Sequence, residues 1–310
     1  MQAATNHGRH RSSIWNQFNI WLNREHILGP ALVAPAVLIL VVLIAYPFSV
    51  GVWLAFTDKR TGVPDSGTFI WFQNFATLLK NSIFQRTTLN TFNYAVVSVF
   101  FKLVLGLLMA LVLDKVNFLK NFFRGILLLP WIVPTSLSAL GWLWMFDSTY
   151  SVFNRLLLDW GLIQEKIVWL GKPAIAMFSL QMVNIWRGIP FFGISLLAGM
   201  QTIPQELYEA AEIDGASAWG RFWNVTFPLL MPVTAVVTLY SIVQTFADFQ
   251  IVYVLTRGGP VNSTHLFATL THQTAILASK LGEGAAVSLF MFPVLVVSVI
   301  FLLRYLQRED

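Results

Sequence analysis

Pro204-Gln205-Glu206-Leu207-Tyr208-Glu209-Ala210-Ala211-Glu212-Ile213-Asp214-Gly215-Ala216, continuing through Trp219, Phe222 and Trp223 to Pro228, is a polar, helix-favouring stretch between two strongly apolar segments. Strong helix formers fill Gln205 to Glu212, and Pro204 stands at a first-turn position where its missing N–H costs little. Glu206, Glu209 and Glu212 recur at every third residue, so their carboxylates share one solvated face and complement a helix N-terminus. Ala210 and Ala211 let another element approach the backbone closely. Gly215 tolerates the positive φ of a sharp turn, and Asp214 beside it is a turn or cap signal. Beyond the turn, Ala216, Trp219, Phe222 and Trp223 form an apolar stripe, and Pro228 opens the next apolar run. The stretch reads as a structured docking loop outside a bilayer; the plainer alternative is an amphipathic loop packed against its own helices.

The flanking composition supports a bilayer. The chain has 310 residues, of which 56% are hydrophobic and 11% charged, whereas a soluble domain carries roughly 25% charge. A helical span needs about 20 mainly apolar residues. Six stretches qualify, at 28–56, 91–113, 125–146, 174–199, 227–246 and 285–303, the second and fourth enclosing Lys102 and Arg187. Cysteine is absent, which excludes disulfides and thiol chemistry. The net charge of +5 fits membrane boundaries and anionic lipid better than nucleic acid, because no soluble basic domain exists.

Arg9, Arg11 and Arg24 precede an apolar run too long for a signal peptide, so residues 28–56 read as an uncleaved first span. Residues 1–27 read as an N-terminal segment in which Ile14, Trp15, Phe18, Trp21 and Leu22 suggest an interfacial helix, and residues 28–310 as the membrane domain. The segment 58–90, with Gly62, Pro64 and Gly67, reads as irregular, and 150–163 as a short surface helix. Basic residues divide evenly between the two sets of loops and favour cytoplasmic termini only weakly.

The ordered residues Glu209, Ala210, Ala211, Asp214, Gly215, Ala216, Phe222 and Pro228 resemble the EAA coupling loop of bacterial ABC-importer permeases. A second segment, Phe246-Ala247-Asp248-Phe249-Gln250-Ile251-Val252-Tyr253-Val254-Leu255-Thr256-Arg257-Gly258-Gly259-Pro260, resembles the outer end of the fifth span in carbohydrate-uptake permeases of the oligosaccharide, disaccharide and glycerol-phosphate type. By itself Gly-Gly-Pro is a helix stop. The resemblance implies an all-α integral membrane protein of the type I ABC importer kind, with six transmembrane helices and a cytoplasmic coupling helix, at about 200–228, between the fourth and fifth. It implies a bacterial inner-membrane location with both termini cytoplasmic. The implied function is a permease subunit translocating a carbohydrate by alternating access. The implied partners are a second homologous permease, two copies of a cytoplasmic ATPase that binds ATP and Mg, and an extracytoplasmic sugar-binding protein. The ATPase-coupling residues carried over are Glu209, Ala210, Ala211, Asp214, Gly215 and Ala216.

Candidates for the substrate pathway come from polar residues inside spans, where ionisable groups are costly. Lys102 and Arg187 lie near mid-depth, and Asp248 near the outer end of the fifth span. Asn184, Arg187 and Phe191 share a helix face, loosened by Gly188 and Pro190, while Tyr240, Gln244 and Asp248 form an i, i+4, i+8 stripe. Such faces suit a hydroxyl-rich ligand; alternatively Lys102, Arg187 and Asp248 pair to orient the helices. Trp142, Trp144 and Trp186 read as lipid or interface packing ahead of sugar stacking. Two mid-depth cations also suit an importer of a phosphorylated polyol.

Other chemistries lack their residues. Gly171-Lys172 has neither the glycine spacing nor the hydroxyl of a phosphate loop, so no nucleotide cofactor is expected in this chain, and the chain is not expected to be an enzyme. The five histidines show no metal-ligand spacing, and Gly282-Glu283-Gly284 precedes a span instead of following a strand. A secondary transporter working without an ATPase would carry inverted repeats and a coupling-ion site. An intramembrane enzyme would need a polar catalytic cluster.

Overall fold

The computed structural model describes residues 25–116 and 120–307, and the expected interfacial helix at 14–22 lies outside them. Regular structure among the described residues is helical, apart from one isolated antiparallel bridge between Thr57 and Phe69. The chain divides into two compact units, residues 1–53 and 54–310. The first holds α1 (Glu25–Leu40), which runs through a π-helical turn, Val41–Ala45, into α2 (Tyr46–Ala55), whose last two residues fall in the second. Within this run, Leu32–Ala55 is long and apolar enough to cross a membrane.

The second unit is built on α4 (Ser82–Lys115) and α8 (Pro173–Met200). On α4 the buried positions include Thr91, Tyr94, Ser98, Lys102, Gly106 and Ala110, while Phe92, Val96, Phe100, Leu108 and Val112 are exposed. Polar groups inside and hydrocarbon outside is the arrangement of a helix solvated by lipid. The two helices run parallel, with Asn93 beside Gln181, Lys102 beside Gly188 and Gly106 beside Phe192. Glycines permit this approach: a Cβ added to Gly106 would fall 2.3 Å from the Phe192 Cβ, and one on Gly193 would fall 2.7 Å from the Met109 sulfur. Between helices in lipid, close packing replaces hydrophobic drive, so such small residues hold the pair together.

Around this pair stand α3 (Gln73–Lys80), α5 (Lys120–Ile132), α6 (Thr135–Met145) and α7 (Val152–Asp159). The third expected span, 125–146, is not one straight helix: Asn121–Ile132 and Thr135–Met145 meet at 87°. Pro134 accounts for the break, since it biases Val133 away from helical ψ and has no N–H to continue the ladder. The irregular segment expected at 58–90 also needs correction. It contains α3, and α4 begins at Ser82 because the Asn81 side chain caps it, accepting the N–H groups of Ile83 at 2.8 Å and Phe84 at 3.3 Å. The surface helix expected at 150–163 is α7.

The chain continues through α9 (Gln205–Ile213), α10 (Ala218–Arg221), a π-helical turn at Phe222–Thr226, α11 (Phe227–Phe246) and α12 (Gln250–Leu255). It then forms α13 (Phe267–His272), α14 (Leu281–Leu289) and α15 (Met291–Leu306). Ala218–Leu255 and Leu281–Tyr305 qualify as spans, giving five candidate spans among the described residues, or six if the bent α5–α6 pair is one. Apolar cores lie at two levels of α4 and α8. One, toward α9, joins Val99, Leu113, Phe192, Leu196, Leu230 and Val237; the other, farther from it, joins Tyr94, Phe146, Trp169, Leu180, Ile251 and Leu266.

Candidate functional site

The loop between α8 and α11 is closed by backbone geometry. At the end of α9 the Ala216 N–H donates to the Ala211 carbonyl at 2.9 Å and the Gly215 N–H to Glu212 at 3.0 Å, with Gly215 at φ +82°. This pair of bonds around a left-handed glycine satisfies carbonyls that the helix end leaves free. Ser217 then caps α10 by accepting the Gly220 N–H at 3.2 Å. Tyr208 and Thr226 hydroxyls bond at 3.1 Å, and Arg221 pairs with Glu212 at 2.7 Å, an exposed contact that adds little stability.

Glu209, Ala210, Asp214 and Gly215 are exposed, with Ala211 and Ala216 partly covered. Ile213 is 87% exposed and Trp219 71%, an apolar display that the loop's own packing leaves open. The aromatic stripe partly packs on itself, with Trp219 edge-on to Trp223 at 5.7 Å and Trp223 tilted against Phe227 at 4.9 Å.

The polar residues expected along the spans divide into two sets. Asn184 and Asp248 are buried and bonded: Asp248 Oδ2 accepts the Tyr94 hydroxyl at 2.7 Å and Asn184 Nδ2 at 2.9 Å. Its other oxygen accepts the Ile251 N–H at 3.3 Å, satisfying a free donor at the start of α12. Lys102, also buried, donates to Thr245 Oγ1 at 3.0 Å, and that hydroxyl donates to the Ser241 carbonyl. Tyr240 and Gln244, by contrast, are exposed and bonded to each other at 3.1 Å. Phe191 joins them through a 4.9 Å ring contact with Tyr240, and Trp131 stacks on Phe191 at 5.7 Å. Arg187 is half-buried, with Nε enclosed and lacking a hydrogen-bond partner.

The stripe of Tyr240, Gln244 and Asp248 therefore does not continue as one helical face. α11 ends at Phe246, and Asp248 lies in the non-helical step before α12. Nor do Lys102, Arg187 and Asp248 form an ion pair: those among the described residues are Arg155–Asp159, Arg221–Glu212 and Lys280–Glu283. Trp142 packs within the core farther from α9, with Trp186 edge-on to it, whereas Trp144 is 80% exposed. Tyr94 and Thr245 went unrecognised in the sequence. A tyrosine amid apolar residues was the available signal, because its buried hydroxyl needs a partner.

Outside the spans, Asp147 sits below the usual carboxylate range because it accepts the N–H groups of Tyr150 and Thr149. Burial pushes the His265 imidazole down to about 4. No group of acids and histidines among the described residues has metal-holding geometry.

Known proteins share this chain's sequence and fold over most of its length. The family described as "Binding-protein-dependent transport system inner membrane component" matches residues 102–309. The trehalose/maltose transport system permease protein MalF of Thermococcus litoralis is 36% identical over 92% of this chain and 94% of its own. The sulfoquinovosyl glycerol transport system permease protein SmoG of Agrobacterium fabrum is 33% identical over 94% of each. A chain from the crystal structure of a bacterial ABC transporter importing the acidic polysaccharide alginate superposes with a TM-score of 0.79, at 22% identity, over 94% of this chain and 99% of that one. Membrane-spanning helices, an ordered inter-span loop and this kinship place the chain in the family of binding-protein-dependent transport system inner membrane components, to which it belongs.

Proposed function

We propose that this chain is the permease subunit of an ATP-driven importer that carries a carbohydrate by alternating access. The observation that carries the reading is α9, a helix terminated by Gly215 between two spans and displaying Ile213 and the carboxylate of Glu209 to its surroundings. Such a helix fits a groove on a cytoplasmic ATPase, with Glu209, Ala210, Ala211, Asp214, Gly215 and Ala216 at the contact. Two ATPase copies, a second homologous permease and an extracytoplasmic sugar-binding protein complete the assembly, and ATP and Mg belong to the ATPase. Both termini and α9 then face the cytoplasm. Membrane domain and N-terminal segment meet near residue 28 on this reading.

The cargo class follows the relatives, permeases for trehalose/maltose and for sulfoquinovosyl glycerol. Phe191, Tyr240 and Gln244 offer a ring face and polar atoms to a passing sugar, and Asn184, Arg187 and Asp248 are further candidates along the pathway. Closure of the ATPase dimer acts on α9, and cargo release from the binding protein acts at the opposite end, so the two sides bias one bistable bundle. Reconstitution tests this. Carbohydrate uptake should require the ATPase, the binding protein and ATP together; uptake by the isolated chain would overturn the reading.

A further inference from the structure

Where the two apolar cores meet, the helices carry a polar layer: Ser98 and Lys102 on α4, Asn184 and the half-buried Arg187 on α8, Ser241 and Thr245 on α11. The fifth span crosses this layer where it is broken. Leu230 and Val237 of α11 pack in one core, Ile251, Val252 and Leu255 of α12 pack in the other, and Asp248 stands in the step between.

Asp248 is therefore a joint between two separately packed pieces. Tyr94 and Asn184 both fasten the same oxygen, while the other oxygen is committed to α12 itself. The layer also holds unused hydrogen-bonding capacity: Ser98 Oγ, Asn184 Oδ1 and Arg187 Nε are enclosed without partners. Unpaired buried groups penalise this arrangement and leave room for a second in which they are satisfied. Packed elements move between discrete arrangements of this kind rather than deforming continuously.

We propose that Tyr94, acting through Asp248, is the latch that fixes α12 against α4 and α8 during transport, and that ATP-driven rearrangement releases it. Tyr94 is a positioning residue: its hydroxyl holds the carboxylate that caps α12 and touches no cargo. In the released state Asp248 leaves Tyr94 and Asn184, and Arg187 supplies the free donor. The inference rests on the alternating-access reading above.

The test uses the complete importer in proteoliposomes, comparing the natural chain with Tyr94→Phe, which removes only the hydroxyl. ATP hydrolysis without binding protein should rise about tenfold, the effect of losing one hydrogen bond to a charged group, and sugar carried per ATP should fall severalfold. Hydrogen–deuterium exchange at residues 247–255 should increase in the natural chain on trapping with ATP and vanadate, and should be high in Tyr94→Phe with or without trapping. Unchanged hydrolysis and stoichiometry in the variant would overturn the latch, as would exchange in the natural chain that ignores nucleotide. The latter measurement decides the question if Tyr94→Phe does not assemble. Should no carbohydrate be carried while exchange still follows nucleotide, the cargo reading fails and the latch stands.

Discussion

The side-chain stem of Lys102 lies so close to Gly188 that a Cβ there would sit 2.6 Å from both its Cδ and Cε. Glycine at 188 thus shapes the path by which the ammonium reaches Thr245. Gly188→Ala should push the lysine aside at a cost of about 1–3 kcal/mol. Gly106→Ala should cost more, because the obstructing atom is the Phe192 Cβ, which cannot move without its backbone. Thermal unfolding of the two purified variants checks the order; Gly188→Ala the less stable of the pair would reject it.

Gly215 adopts φ +82° and donates its N–H to Glu212. Gly215→Ala should cost about 1–2 kcal/mol through left-handed strain, and Gly215→Pro more, because it also removes that donor. Both chains should still insert, so membrane-fraction yield stays near normal while ATPase co-purification falls, further for proline than for alanine.

Ile213 projects from α9 almost fully exposed. Ile213→Asp should leave the stability of the isolated chain within about 0.5 kcal/mol, as surface changes do, yet weaken capture of the ATPase at least about tenfold, the range of a truncated interface anchor. Glu209→Lys should act in the same direction. Normal capture by both variants would remove α9 from the interface.

His265 is packed against Gly258, with Nδ1 at 3.2 Å from Thr269 Oγ1. Its folded pKa of about 4 lies below the unfolded value of about 6.5, so the unfolded chain takes up the proton first. This group's contribution is complete above pH of about 6.5, declines as pH falls from there towards about 4, and then levels off. A melting-temperature profile across that window should slope, and His265→Gln should flatten it whatever its effect at neutral pH.

Hydropathy made most spans legible because lipid demands long apolar runs, and the loop at 205–216 stood out by its polarity. Backbone breaks were less visible. Pro134 carried the signal for the 87° bend, but counting apolar residues is blind to a missing N–H. The step at Ala247–Phe249 contains neither glycine nor proline, so the i+4 stripe ran through it on paper and ended at Phe246 in the fold. Gly62, Pro64 and Gly67 made 58–90 read as irregular, whereas Asn81 caps a helix that begins at Ser82 and turns Thr87 and Thr91 inward. Tyr94 shows the limit most clearly: its partner is 154 positions away, and no periodicity within one helix encodes that meeting.

The Tyr208–Thr226 bond and the hydrogen-bonded turn at Gly215 tie α9 to the base of the fifth span at two places. Two attachments stop a short rod from swivelling where one would not. On the coupling reading, α9 works as a crank web rather than a tethered plug, and pressure on Ile213 reaches Thr226 as a turning moment on α11.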